Sequence, residues 1–205
     1  MTANIKEIFE NNLVSLFNYQ KHSIEFLVLV IQNTNYEQLK KAKSSLKKHN
    51  LIIMTKLDFK EGHDVFPIEF LDMKSSYKMI EGEDLLKDLI IQKTDLRHQL
   101  EHEIRSKRIH LKDQFIQNEE RDFILRILPT LTPIIKSLLF LKNIEFSNQL
   151  DDNLSKLQEA YKIDPAFLSE IAEIEEGKKR TDKEKYPFYI QRLDELLTNL
   201  VNKIN

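Results

Sequence analysis

The chain contains no cysteine and only three glycines, Gly62, Gly82 and Gly177, among its 205 residues. The lack of cysteine excludes disulfide bonds and thiolate metal sites, and it fits a reducing compartment. The scarcity of glycine excludes glycine-rich phosphate loops, because neither GxGxxG nor GxxxxGKS or GxxxxGKT can be written in this sequence. The Rossmann dinucleotide-binding class and the P-loop class are therefore close to excluded.

An excess of charge of one sign and a long apolar run are also missing. The 31 Lys and Arg residues nearly balance the 33 Asp and Glu residues, so no whole-molecule field attracts nucleic acid or an acidic membrane. The first residues lack the basic and apolar segments of a secretory signal. The run Phe26–Ile31 is far shorter than the roughly 20 residues that span a bilayer. We expect a soluble cytoplasmic protein that binds no membrane.

The first third of the chain alternates strand-like and helix-like segments. Leu13–Phe17, Ile24–Ile31 and Leu51–Thr55 are rich in aliphatic and β-branched residues and predict strands. Tyr36–Lys48 predicts a helix with Asn35 as its N-cap, since its apolar residues recur at helical spacing. This alternation is typical of a small mixed sheet with packed helices.

Helical periodicity continues from there to the C terminus. A long helix is predicted to begin with Thr94 as its cap, a second to stop near Pro129, and a third to start after Pro133. Three shorter helices follow, around Leu154–Tyr161, Pro165–Glu176 and Pro187–Val201. The predicted fold class is α+β, in which residues 1–92 form a small mixed-sheet domain and residues 93–205 form an antiparallel helical bundle.

One acid stands inside an apolar segment. Val65–Met73 reads VFPIEFLDM and predicts an edge strand, because Pro67 cannot donate to a sheet. Glu69 lies inside this segment, and a carboxylate there is costly to bury unless it meets a metal, a cation or hydrogen-bond donors. Two interpretations stay open for Glu69, a half-buried acid paired with a lysine or arginine, or a metal ligand.

This segment opens an ordered set of residues that continues through Tyr77, Gly82–Leu86 and Leu96–Ile104. The set resembles the middle of small bacterial nucleotidyltransferase-like proteins, and the resemblance covers roughly residues 10 to 115. It implies a nucleotidyltransferase-superfamily fold that handles magnesium and a nucleoside triphosphate. In that family the first strand ends in a Gly-Ser turn that holds phosphates, the second opens with two acids one residue apart, and the FPIEF strand carries a third acid.

The chain departs from this family at the start of the implied site. Ser23 replaces the first acid of the second strand, whereas Glu25 matches the second acid and Glu69 the third. The resemblance therefore makes Glu25 and Glu69 the predicted catalytic and magnesium-binding residues. The predicted nucleotide-binding positions are the three substituted ones, Asn18 and Tyr19 in place of the Gly-Ser turn, and Ser23.

Three functions stay open at this point. The first is a nucleotidyltransferase-like protein with a degenerate active site and impaired catalysis, which binds a nucleotide weakly or serves as an interaction module. The second is an active magnesium-dependent nucleotidyltransferase that modifies a hydroxyl of a small molecule or protein. The third is a helical scaffold that forms homodimers, with Leu138 or Leu193 in the contact.

Two histidines suggest a metal-binding face at first sight. His98 and His102 lie four residues apart on the long predicted helix, but their order differs from the H-E-x-x-H motif. Glu101 and Arg105 fit an ordinary ion pair at i and i+4. A solvated helix face is therefore favoured over a metal site.

Lysines dominate one side of the helix predicted after Asn35. They are Lys40, Lys41, Lys43, Lys47 and Lys48. Because no aromatic residues are interleaved with them and no arginines cluster nearby, we expect a solvated face and regard nucleic-acid binding as unfavoured.

Overall fold

The computed structural model describes residues 2–22, 24–117, 119–180 and 182–204. The chain divides into two compact units, Met1–Gln92 and Lys93–Asn205. The first unit contains a four-stranded mixed sheet with helices, and the described part of the second is built from helices. The predicted α+β fold class is confirmed.

The first unit is organised around its sheet. Its elements are α1 (Thr2–Phe9), β1 (Leu13–Lys21), β2 (Ile24–Ile31), α2 (Tyr36–Leu46), β3 (Asn50–Thr55), α3 (Lys56–Gly62), α4 (Pro67–Ser76) and β4 (Lys78–Gly82). The strand order is β3-β2-β1-β4, in which β1 is antiparallel to β2 and to β4, and β2 is parallel to β3. The three strands predicted before residue 56 and the helix after Asn35 are confirmed.

Helix α2 begins where the sequence predicts. The Asn35 side-chain oxygen accepts hydrogen bonds from the backbone N–H groups of Glu37 and Gln38, at 3.0 and 3.2 Å. These donors have no partner inside the helix, so the cap satisfies two of the groups that every helix N-terminus leaves unpaired.

Apolar side chains cover both faces of the sheet. On one face, residues of β1 and β2 pack with α1 and α2 in a buried cluster of Ile5, Phe9, Leu16, Leu27, Leu29, Ile31, Ala42 and Leu46. Because side chains alternate along a strand, the buried Phe17, Val28 and Val30 belong to the other face, against which α4 packs. The two faces are therefore distinct environments.

The strand predicted over Val65–Met73 is wrong, because this segment contains the start of helix α4. Pro67 is the first helical residue, where a missing N–H costs nothing and a fixed φ favours the helix. Six of the seven residues from Pro67 to Met73 are buried, all except Glu69. A segment buried on nearly all sides shows no 3.6-residue pattern, so its apolar sequence resembles a strand.

Gly82 ends β4 in a conformation that excludes a side chain. Its φ is +87°, and a Cβ atom placed there would lie 2.3 Å from the Val14 carbonyl oxygen. The N–H of Glu83 donates to the same oxygen at 2.8 Å. Gly82 therefore lets the end of β4 approach β1 closely, so its role is structural.

The second unit consists of helices that meet on a central one. They are α5 (Lys93–Gln117), α6 (Glu120–Leu141), α7 (Leu150–Tyr161), α8 (Phe167–Glu175) and α9 (Tyr186–Ile204). Helix α6 packs against each of the other four. The cap predicted at Thr94 is wrong, because α5 begins at Lys93 and contains Thr94.

The predicted break between Pro129 and Pro133 is also wrong, since both prolines lie inside α6. Each interior proline costs about 3 kcal/mol or more by removing a backbone hydrogen bond and crowding the preceding turn. Nine apolar residues of α6 are buried and offset this cost, namely Phe123, Ile124, Ile127, Leu128, Leu131, Ile134, Ile135, Leu138 and Leu139. The hydroxyls of Thr130 and Thr132 donate to the carbonyl oxygens of Ile127 and Leu128 in the same part of the helix.

One segment of α6, Arg121–Leu141, is long and apolar enough to cross a membrane by length and composition alone. Two thirds of its apolar window, 67%, is buried against the rest of the protein. It is therefore the core helix of the second unit, which is consistent with a soluble protein.

Candidate functional site

Glu25 and Glu69, the two acids predicted to share a metal, lie on opposite faces of the sheet. Glu25 lies two residues before Leu27, so its side chain is on the face that packs with α1 and α2. Glu25 is directly opposite Gln20 of β1. Because Gln20 and Tyr19 are consecutive residues of a strand, their side chains lie on opposite faces, so Glu25 is on the face away from Tyr19. Glu69 is on α4, which covers the Tyr19 face. The sheet therefore lies between these two carboxylates.

Tyr19 is a core residue and not part of a turn. It is 5% exposed, and its ring stacks on Phe26 with centroids 5.4 Å apart. Burial raises the pKa of the Tyr19 hydroxyl, and the negative charges of Asp72 and Glu69 raise this pKa further. Both α4 acids therefore lie close to Tyr19.

The phosphate-binding turn predicted at Asn18 and Tyr19 does not exist at these positions. Asn18 lies in the middle of β1, opposite Leu27 of β2 on one side and Lys78 of β4 on the other. Backbone groups of a central strand point in the plane of the sheet toward its neighbours, so they are not free to surround a phosphate. Ser23, the third predicted nucleotide-binding residue, lies outside the described residues.

The described residues contain no group of three or more His, Cys, Asp or Glu side chains placed to hold a metal ion. Strand β3, which runs parallel to β2, reads NLIIMT and carries no acid. Of the five predicted site residues, the structure brings together Tyr19 and Glu69, and it separates Glu25 from both.

The histidine pair on α5 lies on an exposed face. His98 and His102 are both exposed, and the predicted pair between Arg105 and Glu101 is present at 2.8 Å. Lys107 lies 3.9 Å from Glu103, one helical turn away in the same direction. Two cations of this helix are therefore paired with acids one turn away, as on an ordinary solvated face.

The exposed side of α2 carries lysines that are not paired with acids among the described residues, unlike the exposed face of α5. It also carries an aromatic residue that the sequence interpretation missed. Tyr36, the first residue of α2, is 80% exposed. It precedes Lys40, Lys43 and Lys47 by four, seven and eleven residues, and these spacings place all four side chains on one side of the helix. The helical spacing is what could have identified Tyr36 from the sequence. The residue lies four positions before the first lysine, so a search for aromatic residues within the lysine run misses it.

The helical unit contains a cavity of about 360 Å³ between α5 and α6. Its lining is formed by Glu103, Ser106, Lys107, His110, Gln114, Phe123, Arg126, Ile127 and Thr130. None of the predicted active-site residues belongs to this lining, so the cavity is separate from the implied nucleotidyltransferase site.

No protein-family model matches the chain, and no curated protein matches it. The function therefore has to be argued from the residues and geometry described above.

Proposed function

We propose that this chain is a cytoplasmic nucleotidyltransferase-like protein that no longer transfers nucleotides and acts as a binding module with weak affinity for a nucleotide. The observation that carries this proposal is the placement of Glu25 and Glu69 on opposite faces of the sheet. What supports the family part is the ordered resemblance from Tyr77 through Ile104, together with an α+β fold in which a mixed sheet precedes helices. The FPIEF segment departs from the family, because it lies at the start of α4 and not on a strand.

Loss of transfer follows from the chemistry of the reaction. Nucleotidyl transfer requires magnesium held by several oxygens between the nucleotide phosphates and an attacking hydroxyl. Two carboxylates separated by a sheet cannot hold one ion, and a lone exposed Glu25 supplies at most two oxygens. Since Tyr19 is buried against Phe26, the position predicted for phosphate is filled by a core side chain.

The test is a calorimetric titration with magnesium-ATP, run beside an assay for pyrophosphate release with common small-molecule and protein acceptors. We expect weak binding with no release of pyrophosphate. Glu25→Gln and Glu69→Gln should leave this result unchanged, as should Glu61→Gln, which removes an exposed acid of α3 and serves as the matched control. Sustained pyrophosphate release that only Glu69→Gln abolishes would overturn the proposal and favour the active transferase.

A second candidate, the homodimeric helical scaffold, is favoured by one observation. Ile109 and Ile116 of α5 are 71% and 79% exposed and lie seven residues apart, on one side of the helix. Leu138 and Leu193, the contact residues suggested by the sequence, are buried inside the second unit, so that suggestion is wrong. Light scattering after size exclusion would support this candidate if a wild-type dimer became monomeric in Ile109→Glu with Ile116→Glu.

A further inference from the structure

The outward side of α2 carries positive charge that the protein leaves unneutralised. Five of the nine residues from 40 to 48 are lysines, and all five are exposed. None of their side chains makes an ion pair or hydrogen bond with a residue that the structure describes. This positive surface exists although the whole chain has a net charge of −2.

The arrangement is unfavourable for the helix itself. Lys40 and Lys43 are three residues apart, and Lys43 and Lys47 are four apart, so neighbouring like charges repel on the helix surface. The helix macrodipole favours the lysines near the C-terminal end, and Glu37 lies three residues before Lys40, so the repulsion is greatest at Lys43, which has no acid within four residues on either side. A partner of opposite charge would remove the repulsion.

An exposed aromatic ring stands at the end of the same row. Tyr36 lies one turn before Lys40, and the row Tyr36, Lys40, Lys43 and Lys47 spans about 16 Å along the helix axis at 1.5 Å per residue. The opposite side of α2 holds Ala42 and Leu46 in the core, so the helix is fixed with this row outward. A rigid row of cations with an aromatic ring at one end combines the two features that bind single strands, backbone charge and a stacking platform.

We propose that the row Tyr36, Lys40, Lys43 and Lys47 is a binding surface for single-stranded nucleic acid. The three ammonium groups contact successive phosphates, and the Tyr36 ring stacks on an unpaired base at one end. The surface is sequence-tolerant, since lysine is a point charge and every base has a face on which an aromatic ring can stack. The sequence argues against nucleic acid from a balanced net charge and from the lack of interleaved aromatics and clustered arginines. The surface keeps the lack of arginine, but its charge is locally positive and Tyr36 supplies an aromatic ring at one end.

A membrane is a poorer match for the same surface. A helix that lies on a membrane buries an apolar face among the acyl chains. In α2 the apolar residues Leu39, Ala42 and Leu46 pack inward, and the outward side presents lysines and a tyrosine. A duplex is also a poorer match, because its bases are already stacked on one another and offer Tyr36 no free face.

The experiment is a fluorescence anisotropy titration of the full chain with two labelled 12-nucleotide probes, oligo-dT and oligo-U, from 50 to 300 mM KCl. Three phosphate contacts predict that the logarithm of the binding constant falls with the logarithm of salt with a slope of about −2. The triple variant Lys40→Gln, Lys43→Gln, Lys47→Gln should bind at least tenfold more weakly at about 50 mM salt, with a flatter slope. Tyr36→Ala should weaken binding of the probes about tenfold, and Tyr36→Phe should bind them as wild type does.

The matched control removes three exposed lysines elsewhere in the first unit, Lys60→Gln, Lys78→Gln, Lys87→Gln, and should bind like wild type. Circular dichroism checks that each variant is folded, and the single Lys43→Gln variant, with a smaller loss, serves if the triple does not fold. Absence of salt-dependent binding, equal losses in the two triple variants, tighter binding of a 12-base-pair duplex, or binding only to vesicles rich in anionic lipid would each overturn the proposal.

This inference and the proposed function fail separately. The magnesium-ATP titration does not depend on the lysine row, so the triple variant should bind that nucleotide as wild type does. A loss of nucleotide binding in the triple variant would instead show that the row is part of the nucleotide site and would contradict an independent nucleic-acid surface.

Discussion

The exposed helices α2 and α5 carry many charges each but use them differently. In α5, Arg105 pairs with Glu101 at 2.8 Å and Lys107 lies 3.9 Å from Glu103, so two of its cations have acids of the same helix beside them. Three exposed lysines in α2 and two directly after it, Lys47 and Lys48, have no ion-pair partner in the described part of the chain. The ion pairs of α5 therefore stabilise that helix, whereas the lysines along α2 and directly after it stay available to a partner.

The two units also differ in how closely the backbone is packed around a glycine at positive φ. Gly82 of the first unit is held against the Val14 carbonyl oxygen, whereas Gly177 of the second, also at positive φ, has nothing within 4 Å of its missing Cβ position. A side chain at position 82 would therefore clash with the backbone of β1, whereas the turn at Gly177 has room for one.

The strongest expected effect sharpens the backbone comparison. Gly82→Ala should lower the free energy of unfolding by about 3 kcal/mol or more, because it forces a side chain into positive φ and against a carbonyl oxygen. Gly177→Ala should cost about 1 kcal/mol, since it has the backbone penalty without the clash. Urea unfolding of both variants measures the difference, and equal losses would remove the contrast.

The next effect concerns a polar group that the second unit satisfies internally. Burial raises the pKa of Tyr161 to about 12, and the Tyr161 hydroxyl donates to the Leu138 carbonyl oxygen at 2.9 Å. Because the unfolded tyrosine ionises near pH 10, the stabilisation is complete below pH 10 and is lost as the pH rises through 12. We expect a loss of about 2 kcal/mol over this window.

Urea unfolding at several alkaline pH values checks this expectation. Tyr161→Phe should lose about 1 kcal/mol at neutral pH, because the Leu138 carbonyl is left without its donor. The variant should then show a shallower alkaline loss than wild type. Parallel pH curves for the two proteins would show that Tyr161 ionises as readily in the folded chain as in the unfolded one.

A smaller effect separates the two helices at their first turns. Asn35→Ala should destabilise α2 by about 1 kcal/mol, since it removes the acceptor for two backbone N–H groups. Thr94→Ala should change α5 by only a few tenths of a kcal/mol, because Thr94 lies inside the helix and does not cap it. Hydrogen exchange of peptides from α2 and α5 measures both effects, and a larger loss in α5 would contradict the assigned boundaries.

The smallest effect tests the charges directly. Lys43→Glu should stabilise α2 by about 0.3 kcal/mol net, because it replaces the repulsions with Lys40 and Lys47 by attractions that outweigh the unfavourable position of an acid near the helix C terminus. Glu101→Lys should destabilise α5 by a similar amount, since it replaces the pair with Arg105 by a like-charge contact. Both changes in hydrogen exchange should shrink at 1 M salt. Changes of the same sign in the two helices would contradict the comparison.

The parts of the fold that the sequence predicts well are those in which one face is buried. The strand Ile24–Ile31 and the helix after Asn35 have clear apolar patterns and, for the helix, a capping residue. Val65–Met73 was misassigned because most of α4 is buried, which removes the periodicity that distinguishes a helix from a strand. The helix break predicted between Pro129 and Pro133 is wrong for a related reason. The free energy gained by burying one long apolar side of α6 outweighs the local cost of the two prolines.

The predicted site depended on tertiary placement that local sequence does not contain. Assigning Glu69 to a strand put its carboxylate in the same sheet as Glu25, whereas the helix puts it on the far face beside Tyr19. The basic side of α2 was visible in the sequence, but the absence of partners for its lysines and the exposure of Tyr36 are properties of the folded chain.

The most direct test of the central claim is a titration with Mg²⁺, followed by the NMR signals of the glutamate side-chain carboxyl carbons, which respond to direct coordination. Because Glu25 and Glu69 lie on opposite faces of the sheet, we predict that no single bound ion shifts the carboxyl signals of both residues together at one equivalent. Any weak shift at one residue should be unaffected by substitution of the other. Joint shifts at Glu25 and Glu69, with the Glu25 shift abolished by Glu69→Gln, would contradict the account.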